Sequence, residues 1–112
     1  MKFMMFVCTD TEPDTAPDGG ETKVEAWSAK NDAAGVRLAG DRLRPPADAT
    51  VVRKRGGTVL VTDGPFAETR EWIAGFDILE CADLDEAIAV AADHEMARRG
   101  RIELRPFWPF GE

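Results

Sequence analysis

The densest chemistry in the chain lies in Asp63-Gly64-Pro65-Phe66-Ala67-Glu68-Thr69-Arg70-Glu71. Three carboxylates and a guanidinium sit close together here, and a general base needs such neighbours to move its pKa toward the working pH. Gly64 can turn with positive φ, and Pro65 fixes its own φ and restricts Gly64. The corner therefore holds Asp63 and Phe66 in set directions. On this reading Asp63 is a catalytic base, Glu68 and Arg70 bind a polar substrate, and Phe66 and Trp72 form an apolar wall. A structural reading stands beside it. The Asp63 carboxylate would accept backbone N–H groups two or three residues on and stabilise the turn. Glu68 and Arg70 would close the loop as an ion pair, worth little if exposed.

Arg105 stands in mid-strand between Glu103 and Phe107. If buried it needs an anionic partner, either Asp77 or a ligand, and with Arg70 it is a candidate anion-stabilising group. His94, between Asp93 and Glu95, titrates near neutrality by type. With no second histidine it makes a weak metal ligand and reads as a solvated residue at a helix end. The chain has no Cys/His cluster, phosphate loop, nucleophile elbow or dinucleotide fingerprint. No metal and no cofactor are expected.

The 112 residues predict a single domain, 1–112, large enough for a core and small enough to gain from a partner. A formal net charge of −7 disfavours phosphate backbones and anionic membranes, so neither nucleic acid nor membrane is an expected partner. No apolar run reaches the roughly 20 residues needed to span a bilayer. The apolar start, Met1 to Cys8, is too short for a signal peptide and runs straight into Asp10 and Glu12, which predicts a cytoplasmic protein. Cys8 and Cys81 read as free thiols at opposite edges of a sheet.

The elements that must position these groups follow from periodicity. Met1 to Cys8 is apolar on both alternating faces, which predicts a central strand buried on both sides. One face would need cover that a short chain lacks, a first indication of a dimer joined through its sheets. Thr9 to Gly20 reads as a solvated, mobile loop. Glu21 to Ala34 reads as a helix, with Val24, Trp27, Asn31 and Ala34 on one face and Gly35 ending it. Val36 to Leu43 is a strand stopped by Pro45-Pro46. Thr50 to Arg55 and Thr58 to Thr62 form a hairpin about Gly56-Gly57. Ile73 to Glu80 is a strand that pairs antiparallel with the first. A helix starts at Asp83, with Glu86 completing a capping box, and runs to Gly100. Ile102 to Phe107 is the last strand, and Trp108-Pro109-Phe110 is an apolar tail that should dock on something, a partner subunit being one candidate. The order β-α-β, hairpin, β-α-β fits a ferredoxin-like α+β sandwich with an inserted hairpin.

Val61 to Glu71, followed by Gly75-Phe76, resembles the signature of the DGPF group of YCII-related proteins. Leu84-Asp85-Glu86-Ala87, Glu103-Leu104-Arg105-Pro106, Ala34-Gly35 with Gly40, and Leu43-Arg44-Pro45-Pro46 match as well. The resemblance covers nearly the whole chain except the loop Thr9–Gly20. It implies two ferredoxin-like chains assembled as a dimeric α/β barrel in a small bacterial cytoplasmic protein. It also implies frequent genomic association with extracytoplasmic-function sigma factors, without an established activity. In the wider group a His–Asp pair in a cleft has been suggested to act enzymatically. The first helix here has no histidine, so only Asp63 carries over from that pair.

Two functions are compatible with these readings. One is a cofactor-free acid–base catalyst on a small molecule, with Asp63 as base and Arg70 or Arg105 stabilising an anion. The other is a non-catalytic homodimer that senses a ligand or regulates transcription machinery.

Overall fold

The computed structural model describes residues 1–17, 19–64 and 71–112. The expectations that rest on Phe66, Glu68 and Arg70, and on most of the corner around them, lie outside the described residues. The class is mixed α+β with antiparallel sheets. In chain order the elements are β1 (Lys2–Cys8), α1 (Val24–Ala33), β2 (Arg37–Arg42), a single 3-10 turn at Pro46–Asp48, β3 (Thr50–Arg55), β4 (Thr58–Asp63), β5 (Ile73–Glu80), α2 (Leu84–Ala92), α3 (Met96–Arg99) and β6 (Arg101–Pro106). No helix among the described residues is long and apolar enough to cross a membrane.

The strands form a four-stranded sheet in the order β2-β5-β1-β6 and a separate two-stranded hairpin, β3-β4. β1 is central, as its apolar run predicts, and pairs antiparallel with both β5 and β6. Phe3, Met5 and Val7 are buried and meet Leu79, Asp77 and Gly75 across the pairing. Trp27 of α1 and Ala87 and Ala91 of α2 complete the core. Trp27 is fully buried and donates its Nε1–H to the Val90 carbonyl at 2.9 Å, so it is the core anchor its spacing predicts.

The opposite face corrects the expectation of a doubly buried strand. Met4, Phe6 and Cys8 are only half-buried in one chain, as are Phe76 and Ile78 beside them. The two helices that must cover the sheet both lie over its other side. The four-stranded sheet remains open, with no closed barrel in the single chain.

The second helix is also shorter than its pattern predicts. It breaks after Ala92, and α3 resumes at Met96. The cause is tertiary. The Asp93 carboxylate accepts from the Thr22 hydroxyl at 2.9 Å and pairs with Lys30 at 3.0 Å. Thr22 also exchanges backbone hydrogen bonds with Asp93 and Glu95, at 2.9 and 3.2 Å. The chain ahead of α1 thus docks where another helical turn would have run.

The loop before α1 is exposed but tied at several points. Asp10 pairs with Arg101 at 3.0 Å, and Asp14 pairs with Arg98 at 3.0 Å. Cys8 and Cys81 are free thiols.

Candidate functional site

A cleft of about 780 Å³ opens between α1, the β2–β5 edge of the sheet and the junction of α2 with α3. Its charged floor is set by an irregularity in β2. The pairing of β2 with β5 shifts register between Arg37 and Ala39. Such a bulge re-aims a side chain without ending the strand. Gly40 lies directly opposite Asp77. A Cβ at Gly40 would fall on the Asp77 carboxylate, the Phe76 carbonyl and the Arg37 guanidinium. The missing side chain is what lets Arg37 fold back over β5.

Arg37 then uses every face of its guanidinium. Nε–H donates to Asp77 Oδ1 at 2.7 Å, Nη1–H to Asp32 Oδ1 at 2.9 Å, and Nη2–H to the Gly40 carbonyl at 3.0 Å. Asp77 is 6% exposed. Burial pushes its carboxyl above the ordinary range, and the Arg37 hydrogen bond opposes that shift. Arg37 is in turn held more firmly protonated by Asp77. A buried pair of this kind fixes geometry, since removing either partner strands the other charge.

His94 forms the other polar wall. It is 3% exposed and lines the cleft, so it is not the solvated helix-end residue its position predicts. Its ring packs edge-on against Trp27 with centroids 4.8 Å apart. Nδ1 accepts the Met96 backbone N–H at 3.0 Å. An acceptor nitrogen carries no proton, so the neutral ring bears its hydrogen on Nε2. Nε2 has no partner among the described residues. No buried side-chain nitrogen or oxygen there lacks one, so Nε2–H faces the open cleft. Burial lowers the His94 pKa, with Glu95 and Asp93 opposing. The ring is therefore a neutral hydrogen-bond donor at pH 7. It is a poor base, because a proton on Nδ1 would displace the Met96 N–H.

Glu25 and Asp41 add carboxylates to the cleft, and Val7, Val24 and Ala74 supply apolar wall. The helix break is what makes this site, because it turns His94 inward.

Of the sequence-derived site residues, Asp63, Trp72 and Arg105 do not line this cleft, and Phe66, Glu68 and Arg70 lie outside the described residues. Asp63 ends β4 opposite Thr50 with its side chain exposed, and it accepts no hydrogen bond among the described residues. Gly64 adopts φ 92° and donates its N–H to the Ala49 carbonyl at 2.7 Å, which closes the base of the hairpin. Trp72 is 40% exposed. Its backbone carbonyl accepts from Thr9 N–H at 2.9 Å, and its own N–H donates to the Thr9 hydroxyl at 2.9 Å. Glu71 pairs with Arg101 at 3.4 Å. Arg105 is exposed opposite Met4, on the face of the sheet away from Asp77. Asp77 therefore partners Arg37 and not Arg105. Among the described residues no group of three or more His, Cys, Asp and Glu side chains is placed to hold a metal ion.

Comparison with known proteins follows the same lines. The profile of the YCII-related domain matches residues 1–111. An uncharacterised protein of Rhizobium meliloti (strain 1021) is 45% identical over 67 residues, which is 58% of this chain and 54% of that protein. The chain thus spans about half the length of the curated relative it matches.

Proposed function

Given that the chain belongs to the YCII-related domain family, we propose that it is a small-molecule-binding protein that works as a homodimer. The observation that carries the binding role is the unpaired Nε2–H of a buried, neutral histidine facing a cleft. A donor that the fold points into a cleft, with no protein acceptor among the described residues, is open to an acceptor on a ligand. The ligand has a hydrogen-bond acceptor for His94. It also has a positively charged end, because the two carboxylates of Glu25 and Asp41 outnumber Arg42, the one lining cation among the described residues that is not spent on the floor. Arg37 acts as a fixed floor, since its guanidinium is engaged by Asp77, Asp32 and the Gly40 carbonyl.

A panel of amine-bearing and anionic metabolites, screened by thermal shift, tests this reading. At a concentration about 100 times its Kd a true ligand adds about 2.7 kcal/mol to stability. Stabilisation by amines that disappears in His94→Phe supports the reading. Stabilisation by anions alone, or an unchanged response in His94→Phe, would sink it.

The homodimer reading rests on the open sheet face. Met4, Phe6, Phe76 and Ile78 present an apolar surface that a second copy would cover. The strand order, with both helices on one side, supports a ferredoxin-like sandwich, and two such sheets face to face would complete an α/β barrel. The Asp63-to-Phe66 corner supports membership of the DGPF group.

A second reading keeps Asp63 as an acid–base residue. It is favoured by an exposed carboxylate with no hydrogen-bond partner among the described residues.

A further inference from the structure

We propose that the β3–β4 hairpin is an arm that clasps a second copy of this chain. The inference rests on the homodimer reading and names a contact outside the sheet face.

Among the described residues, the hairpin adds no side chain to the core of its own chain, β3 and β4 pair only with each other, and neither packs extensively against another element. A lone two-stranded hairpin is marginally stable in water. This one also presents an apolar stripe. Val52 faces Val61, and Lys54 faces Val59 across the ladder. Residues directly opposite share a face, so Val52, Val59 and Val61 project together. They are 65%, 58% and 63% exposed. An aligned valine stripe on a projecting hairpin is an interaction surface in need of cover.

Charge identifies the cover. Arg53, Lys54 and Arg55 against Asp63 give the hairpin two net positive charges. That leaves nine net negative charges on the rest of a chain whose formal charge is −7. A basic arm attached to an acidic body finds its complement on another body of the same kind. Two bodies repel each other until the arms cross, and a two-fold dimer lets both arms cross at once. A phosphate polymer would meet the arm only by approaching the acidic body, so a second copy is the partner the charges favour.

Sedimentation velocity of the full chain tests the clasp. One variant carries Val52→Ser with Val61→Ser, and a second carries Arg53→Glu, Lys54→Glu and Arg55→Glu. A third, Ile78→Glu, disrupts the open sheet face alone. The clasp predicts a dimeric wild type and a dimer Kd raised about tenfold or more by each hairpin variant, with far-UV circular dichroism unchanged. It also predicts slower amide exchange across β3 and β4 at concentrations above the wild-type Kd than below it, a readout that needs no substitution. A dimeric wild type whose Kd and exchange ignore the hairpin overturns the clasp and leaves the sheet-face dimer standing, and Ile78→Glu then dissociates it. A monomeric wild type overturns both.

Discussion

His94 owes its behaviour first to burial, which holds its pKa below the ordinary value of 6.5 against the opposing charges of Glu95 and Asp93. The Met96 N–H that Nδ1 accepts fixes the hydrogen of the neutral ring on Nε2. A histidine harder to protonate when folded stabilises the fold above its unfolded pKa and loses that contribution as pH falls through 6.5 toward the folded value. Wild-type stability should decline between pH 7.5 and 5.5, with a slope of at most about 1.4 kcal/mol per pH unit. His94→Gln should flatten that slope, as followed by urea unfolding at each pH. The carboxylates held low, Asp10, Asp14, Glu80 and Asp93, act in a more acidic window, while Asp77, held above the ordinary range by burial, acts with the opposite sign, so the histidine's share is the difference between wild type and His94→Gln. The sequence shows a histidine beside two acids but not the burial, because the contacts that bury it come from Trp27 and the Thr22 segment, far away in the chain. The Arg37–Asp77 pair was half legible. Asp77 stands out as an acid in the apolar strand Gly75–Leu79. Its partner depends on a register shift in β2 that no residue pattern announces.

Elements with strong local signals were read closely. β5 occupies Ile73–Glu80 as its alternation predicts, and the hairpin closes at Gly56 and Gly57, both with positive φ. The capping box forms in part, with Glu86 reaching the N–H one residue ahead of the N-cap. Asp83 accepts the Glu86 N–H at 2.9 Å, while the Glu86 carboxylate accepts the Ala82 N–H at 3.0 Å. Asp83→Ala should cost about 1 kcal/mol, a drop in Tm of about 4–8 °C in a domain of this size. Calorimetry of the variant checks this, and an unchanged Tm would mean that packing alone sets the start of α2. The break at Asp93–Glu95 escaped the sequence because local propensity there favours a continuous helix. The competing hydrogen bonds come from Thr22, which the sequence pattern assigns to the first helix but which lies ahead of α1, since that helix starts only at Val24.

The molecule as a whole is long for its mass. Its radius of gyration is 16.3 Å and its extents are 51 × 40 × 20 Å. A compact chain of this length would have a radius near about 13 Å. The projecting hairpin contributes to this extension. The tail is unpacked too, with Trp108 at 85% exposure and Phe110 fully exposed among the described residues. The proposed homodimer would cover this apolar surface, so Tm should rise with protein concentration, because mass action favours a folded dimer. Differential scanning calorimetry over a hundredfold concentration range checks it, and a constant Tm would mark an independent monomer. The same separation has a meaning for divergence. A segment that shares no core with the body can be lengthened, trimmed or recharged with little cost to the fold. On the proposed clasp, a relative could change its assembly at the hairpin while the sheet and helices that shape the cleft stay as they are.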